Sequence, residues 1–152
     1  MIRHRNEVIA LALVLMVAAC GDGGPGGSRD RGPRVLELNA DTVRLPDSVR
    51  VATVRIDRTK REEFEPGNTT IRVSDVVRFI SSDAGSHAVA FDGDAMSPDA
   101  REFLERTGQL RSPPLLAAES RWVMSFEGAP PGDYPFRCPT HGVRGTITVA
   151  AR

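Results

Sequence analysis

The segment Gly132-Asp133-Tyr134-Pro135-Phe136-Arg137-Cys138-Pro139-Thr140-His141 combines a strand pattern with two metal-binding residue types. Its apolar side chains alternate from Tyr134 to Cys138, and a period of two predicts a half-buried β-strand. Turn-forming residues, 130–133, precede this strand. Because Cys138 and His141 follow it directly, we expect the strand to deliver a thiol and an imidazole to one end of the fold.

The same alternation continues outward from this segment over most of the chain. Val49 to Ile56 shows it clearly, with side chains pointing to alternate faces. Similar runs are Thr69 to Val73, Val76 to Ile80, His87 to Phe91, Arg121 to Phe126 and Thr146 to Val149. Turns rich in Gly, Pro, Asn, Asp and Ser separate them. This predicts an all-β protein, a Greek-key β-sandwich or barrel of about seven or eight strands.

One short helix, Ser97 to Thr107, interrupts the β pattern. Ser97 is a favoured N-cap, Pro98 suits the first helical position, and Gly108 suits a left-handed stop. Apolar residues recur inside the segment at spacings of three and four, so one face is expected to lie against the sandwich. The following stretch, 109–119, contains two prolines and predicts a loop.

The composition excludes several classes of protein. The chain has 152 residues, of which 40% are hydrophobic and 26% charged, which suits one domain with a normal core and not a disordered or multi-span membrane protein. Its 20 basic and 20 acidic residues cancel. Nucleic-acid binding driven by phosphate charge is therefore not expected.

The N-terminus has the features of a secretory signal. Basic residues precede an uncharged apolar run, Val8 to Ala19, which is too short to span a bilayer. The run ends Val17-Ala18-Ala19-Cys20, which resembles the lipobox of bacterial lipoproteins. That resemblance implies cleavage after residue 19 and lipidation of Cys20; an ordinary secretory signal with a nearby cysteine is the alternative. The expected parts are a signal peptide, 1–19, a lipidated cysteine with a Gly-rich linker, 20–33, and a folded domain, 34–152.

The remaining cysteine and histidines form a small inventory. Without the signal, Cys138 is the one cysteine of the folded part, and His87 and His141 are its histidines. A free thiol needs a reason in an oxidising compartment, and thiolate with imidazole suits copper. The alternatives are that Cys138 is a small buried apolar residue, His87 a core histidine and His141 an exposed loop residue.

Three segments together resemble plastocyanin-like cupredoxins. The segment quoted first is similar to the ligand strand and loop of that family, G-x-Y-x-F-x-C-x-P-H or a close variant. Ser86 to Asp92 resembles the segment that bears the first histidine ligand, and Pro66 to Phe79 resembles an earlier hairpin. Gly145 to Val149 is similar to the closing strand. The resemblance covers roughly Glu62 to Ala150, and the helix and proline loop match less well.

The resemblance implies a cupredoxin fold and one type 1 copper held by His87, Cys138 and His141. The sequence departs from the family at the axial ligand, because no Met lies between His141 and Thr146. The axial position would then be empty, or filled by water or by a backbone carbonyl such as that of Gly85. Without a thioether ligand we expect a high reduction potential if the pocket is dry. Ala88 also stands where Asn is common. We expect Arg144 to point outward and Met124 not to reach copper.

The function implied is a lipid-anchored electron carrier of the cell envelope, on the periplasmic or extracytoplasmic face. Redox partner proteins would dock at the His141 surface, bordered by Pro139, Gly142 and Val143 and by 113–116 across the loop, and the protein would be a monomer. A copper-delivery lipoprotein and a metal-free binding module of the same fold are the alternatives. No enzyme is expected, because a single type 1 copper site has no substrate-binding metal and no catalytic constellation is evident. Asp92 and Asp94 flank Gly93 in a predicted turn, where such acids are more often solvated than catalytic.

Overall fold

The structure is a computed structural model that describes residues 35–38, 41–59 and 64–151. The predicted signal peptide, Cys20 and the Gly-rich linker lie outside the described residues. So does the first residue of the predicted folded domain.

The described residues form ten strands and one α-helix. The strands are β1 (Val35–Leu38), β2 (Asp41–Arg44), β3 (Val51–Ile56), β4 (Phe64–Glu65), β5 (Asn68–Arg72), β6 (Val76–Ser81), β7 (Ala90–Phe91), β8 (Arg121–Ser125), β9 (Gly132–Arg137) and β10 (Arg144–Ala150). The helix, α1, is Pro98–Arg106, and a 3-10 turn at Gly93–Ala95 precedes it.

Two four-stranded sheets carry most of the fold. One has the order β5-β10-β9-β7 and the other β4-β3-β6-β8, while β1 and β2 form a separate antiparallel pair. Two pairs are parallel, β10 with β5 and β3 with β6, and the remaining pairs of the two larger sheets are antiparallel. Neighbours that are distant in sequence are the mark of a Greek-key sandwich, so the predicted fold class is confirmed.

The core lies where the alternating residues of the two sheets meet. Phe136 of β9 packs edge-on against Phe64 and Phe79, with ring centroids 4.8 and 5.2 Å apart. Tyr134, two positions earlier on the same face, packs against Phe126 at 5.3 Å. The period of two that predicted β9 therefore places its bulky side chains in the core and leaves its last apolar position for Cys138.

The helix begins and ends where the sequence predicts. The Ser97 hydroxyl accepts a hydrogen bond from the backbone N–H of Ala100, and Thr107 is the C-cap. Ala100, Phe103 and Leu104 are buried, and Phe103 packs against aromatic residues of the sandwich.

The extent of one predicted strand differs from the structure, and β1, β2 and β4 were not predicted. The predicted strand from His87 to Phe91 is reduced to β7, because the earlier residues pair with the proline loop through a single antiparallel bridge between His87 and Leu115. Leu36 of β1 packs with Val51 and Val76 in a small second core.

In the described part of the chain, no helix is both long and apolar enough to cross a membrane.

Candidate metal centre

Cys138 lies at the end of β9, where the chain turns back into β10. Its N–H donates to the Val143 carbonyl at 2.9 Å, and its own carbonyl accepts from the Gly142 N–H at 2.8 Å. Gly142 has a φ of +76°, a left-handed conformation that glycine adopts without strain. These bonds close a tight loop that carries His141 back towards the Cys138 thiol.

His87 is held from the opposite side by the proline loop. Its N–H donates to the Leu115 carbonyl at 3.0 Å, and the Leu115 N–H donates to the His87 carbonyl at 2.8 Å. Leu115 is itself buried in the main core. The two hydrogen bonds therefore fix the His87 backbone to a rigid part of the molecule, although β7 begins only at Ala90.

The three predicted ligands come together in one group. His87, Cys138 and His141 each offer a ligand atom, and these atoms lie within 4.8 Å of one another. The Cys138 Sγ lies 3.5 Å from the His141 Nδ1, and the two imidazole centroids are 5.2 Å apart. The sequence predicted this convergence, and the ends of separate loops produce it.

The group is buried on one side and open on the other. Cys138 is fully buried and His87 is 1% exposed, whereas His141 is exposed. A buried thiol and a buried imidazole are shielded from solvent, and the exposed imidazole provides a contact with the surface. The difference in exposure arises because Cys138 directly follows β9 and is buried in the core, whereas His141 lies three residues later in the loop.

Asp83 is the functional neighbour that sequence reasoning missed. Its Oδ1 lies 2.8 Å from the His87 Nε2, and its carboxylate also accepts from the backbone N–H groups of Gly85 and Arg58. The hydrogen bond with His87 is the main reason that the pKa of Asp83 falls to about 2. The sequence places Asp83 in one of the predicted turns between strands, and nothing in that pattern signals its contact with His87.

Gly85 lies so close to Asp83 and His87 that the position has no room for a side chain. A Cβ on this residue would lie 2.6 Å from the Asp83 Oδ1 and 2.9 Å from the His87 Nε2. Both distances are shorter than real Cβ contacts, so a larger residue would push the carboxylate and the imidazole apart. Sequence analysis considered Gly85 only for its carbonyl.

Arg144 points away from the group, as expected. Its side chain is 71% exposed, and its Nη1 lies 3.6 Å from the Asp92 Oδ2. Asp94, the other acid of the predicted turn, is 96% exposed and lies 3.4 Å from Arg101. These acids are therefore partners of surface arginines.

Met124 is a core residue of β8. It is 1% exposed and stands opposite Val77 near the start of β6. The metal group lies beyond the other end of β6, because the Ser81 hydroxyl donates to the Asp83 carbonyl. At about 3.3 Å per residue, the four residues from Val77 to Ser81 separate Met124 from that end by roughly 13 Å.

The surface around His141 is partly as predicted. Pro139 and Gly142 are exposed and Val143 is half-buried. Across the loop, Pro113 and Pro114 are exposed and Leu116 is 62% exposed. Leu115, which was expected to border this surface, is 2% exposed and belongs to the core instead.

The donor set fits copper. Thiolate sulfur and imidazole nitrogen are the ligands that copper prefers, and two histidines with one cysteine form the trigonal set of electron-transfer sites. The 3.5 Å separation of the Cys138 and His141 donors suits two atoms that share one ion at about 2.0–2.3 Å each.

Comparison with known proteins agrees with this geometry. The sequence profile of copper-binding proteins of the plastocyanin/azurin family matches residues 51–150. Over 89 residues the chain is 32% identical to plastocyanin from Nostoc punctiforme. The matched region covers 57% of this chain and 63% of that protein. The match thus spans less than two thirds of that relative.

Solved structures share the fold. A mutant plastocyanin of fern has a TM-score of 0.52 and 23% identity, covering 65% of this chain and all of that one. A copper-containing nitrite reductase from Thermus scotoductus has a TM-score of 0.50 and 22% identity, covering 78% of this chain and 25% of that one.

Proposed function

The chain belongs to the plastocyanin/azurin family of copper-binding proteins, and we propose that it is a carrier of single electrons that is anchored to a membrane through a lipid on Cys20. Family members of this type bind one copper, are electron carriers and not enzymes, and are usually extracytoplasmic. The observation that carries the proposal is the convergence of His87, Cys138 and His141 within 4.8 Å. We assign these three residues as the copper ligands.

Bound copper supplies a one-electron couple between Cu(II) and Cu(I). The chain contributes a rigid set of donors, because Cys138 is tied to Val143 and His87 to Leu115 by backbone hydrogen bonds. Ligands that do not move between the two oxidation states keep reorganisation small. With copper held by His87, Cys138 and His141, the protein would take one electron from a reduced donor protein and pass it to an oxidised acceptor, with no bond in the chain made or broken.

The exposed His141 is the proposed route for that electron. Its ring lies at the surface beside the exposed Pro139 and Gly142, and Leu116 offers further apolar surface on the proline loop. Electron-transfer encounters typically bury less than about 1,200 Å², which allows rapid dissociation. We propose that redox partners dock here on a monomer.

We propose that the copper has no Met as axial ligand. The ligand loop contains none between His141 and Thr146. Met124 pairs with Val77, roughly 13 Å along β6 from Ser81 at the end near the ligands, which supports this proposal. Loss of a thioether donor favours Cu(I), so this feature alone would raise the reduction potential.

The anchor rests on the sequence before the described residues. The run ending Val17-Ala18-Ala19-Cys20 supports lipidation of Cys20, and the Gly-rich linker would hold the domain of residues 34–152 near the membrane. Expression of wild-type and Cys20→Ser proteins tests this. We expect lipidated wild type in the detergent phase and an unlipidated variant; mass spectrometry showing an unmodified Cys20 in wild type would refute the anchor.

A Cu(II) titration of the soluble domain tests the copper site. We expect one equivalent to produce a strong visible band from charge transfer between the Cys138 thiolate and Cu(II), and Cys138→Ser to erase it. Because serine is close in size to cysteine, the substitution leaves no large cavity at this buried position. A visible spectrum that is the same in Cys138→Ser and wild type would refute the site.

Copper delivery is a second candidate, favoured by the exposure of His141. An accessible ligand gives a competing protein or chelator a place to attack. Stopped-flow transfer of copper to a chelator separates the two functions, because a carrier retains its metal through many redox cycles and a delivery protein releases it to the acceptor.

A further inference from the structure

The Asp83 carboxylate is fully engaged beside the proposed copper site. Its Oδ1 lies 2.8 Å from the His87 Nε2 and accepts from the Gly85 N–H, while its Oδ2 accepts from the Arg58 N–H at 3.0 Å. The side chain is only 20% exposed. The carboxylate is therefore held in a fixed position, with one oxygen aimed at the imidazole.

The loop around Asp83 is built to keep that contact. The Ser81 hydroxyl donates to the Asp83 carbonyl at 2.7 Å, and the Ser82 N–H donates to the Ile56 carbonyl at 2.8 Å. Gly85 leaves the space in which carboxylate and imidazole meet, because a Cβ there would contact both. Three independent features thus converge on a single pair of side chains.

We propose that Asp83 is a positioning residue that orients His87 and strengthens it as a ligand to the metal. This inference rests on the proposed function, in which His87 holds copper. A His87 that donates its Nε2–H to Asp83 would bind the metal through Nδ1, so the contact would fix both the tautomer and the ring orientation. A carboxylate on the far nitrogen also raises the basicity of a ligating histidine.

The charge of Asp83 gives the effect a direction. Negative charge delivered through the imidazole stabilises Cu(II) more than Cu(I), because the oxidised ion carries one more positive charge. Asp83 therefore lowers the reduction potential. This opposes the proposed loss of the axial thioether, so two features of the site would shift the reduction potential in opposite directions.

The competing explanation is that Asp83 only closes a turn. Its bonds to the Arg58 and Gly85 N–H groups would be reason enough for an acid at this position. A merely structural role predicts a change in stability without a selective change in the affinity for one oxidation state. The experiment must therefore measure the two copper affinities separately.

The test compares Asp83→Asn with wild type and two controls. Asparagine removes the charge and keeps an oxygen that can accept from Gly85 and His87, but its amide nitrogen cannot accept from the Arg58 N–H as Oδ2 does. Ser81→Ala loosens the same loop without touching the carboxylate, and Asp94→Asn removes an exposed acid elsewhere. Cu(II) and Cu(I) affinities are measured with competing chelators, and the reduction potential by protein-film voltammetry.

We expect Asp83→Asn to lower the ratio of Cu(II) to Cu(I) affinity about tenfold, the size typical of lost metal-site support. Tenfold in a one-electron couple corresponds to a rise of about 59 mV. Asp94→Asn should leave the ratio unchanged, and Ser81→Ala, which keeps the Asp83 charge, should shift it less than Asp83→Asn does. Equal shifts in Ser81→Ala and Asp83→Asn, or no shift in Asp83→Asn, would overturn the inference.

Nitrogen NMR of the copper-free protein gives a second readout. We expect the wild-type His87 to carry its proton on Nε2, and Asp83→Ala to weaken that preference; a proton on Nδ1 in wild type would overturn the inference. Failure of wild type to bind copper would overturn the proposed function and this inference with it. Normal copper binding with an unchanged affinity ratio would overturn this inference alone.

Discussion

At the scale of single residues, the three proposed ligands differ most in their access to solvent. His141 is exposed on a loop that follows β9, whereas His87 is 1% exposed and bridged to Leu115. An imidazole lost from the surface leaves an opening that a free ligand can enter. One lost from the interior leaves an enclosed cavity lined by the proline loop.

We therefore predict that added imidazole restores the visible band of His141→Gly and not that of His87→Gly. The measurement is an absorption titration of each copper-loaded variant with imidazole. Wild type with the same imidazole concentrations is the control. Equal recovery in both variants would contradict the difference in access on which the assignment of His141 as the surface ligand depends.

Arg144 provides a test of charge at the residue scale. Its guanidinium is 71% exposed and lies 3.6 Å from Asp92, so solvent and a carboxylate both screen it. We predict that Arg144→Ala changes the ratio of Cu(II) to Cu(I) affinity by less than about threefold. A tenfold shift, measured as for Asp83→Asn, would mean that the side chain turns towards the metal.

At the scale of elements, the helix shows what local signals can specify. Its cap, its first proline and its stop lie close together in sequence, and each acts through a nearby backbone group. The helix therefore begins at Pro98 and ends at Arg106, inside the predicted limits. β9 was predictable for the same reason, because its alternation needs no information from the rest of the chain.

The elements that sequence analysis missed depend on distant partners. His87 pairs with Leu115, 28 residues away, and this contact replaces the first part of the predicted strand. Asp83 becomes part of the site only because the turn after β3 brings the Arg58 N–H to it and Gly85 admits the His87 ring. Neither contact produces a periodic pattern in the sequence. His87 could therefore be predicted as a ligand, whereas the residues that hold it in place could not.

The cap of α1 allows a prediction about stability without an effect on the site. Ser97→Ala removes the acceptor for the Ala100 N–H, and loss of such a cap costs about 1 kcal/mol. We expect that loss in urea unfolding and an unchanged visible band, because the buried face of the helix packs into the core. Glu102→Ala, exposed on the same helix, is the control and should change stability by less than about 0.5 kcal/mol.

At the scale of the whole molecule, one strand joins the core to the metal. β9 carries Tyr134, Phe136 and then Cys138 on one face, all of them buried. The Phe136 ring packs against Phe79 of the opposite sheet and the Tyr134 ring against Phe126, which follows β8, so both rings hold β9 in the core just before it reaches Cys138. A site that holds its ligands rigidly therefore depends on packing that lies well away from the copper.

Tyr134 links that packing to pH. It is the one tyrosine of the chain, its hydroxyl donates to the Pro130 carbonyl at 2.7 Å, and burial raises the pKa of Tyr134 to about 12. An unfolded tyrosine has a pKa of about 10. Because the folded-state pKa is the higher, this contribution to stability is complete below pH 10 and is lost as pH rises towards 12.

We predict that Tyr134→Phe lowers the free energy of unfolding by about 1 kcal/mol at neutral pH, the usual value of one buried hydrogen bond. The difference from wild type should shrink above about pH 10, because the tyrosine of the unfolded wild type ionises there while the buried one stays protonated, and phenylalanine cannot ionise in either state. Urea unfolding of both proteins across this range measures it, with the ultraviolet titration of the single tyrosine as a check. A difference that stays constant to pH 12, or a tyrosine that titrates near pH 10 in the folded protein, would mean that the hydroxyl is open to solvent and that β9 is not anchored in this way.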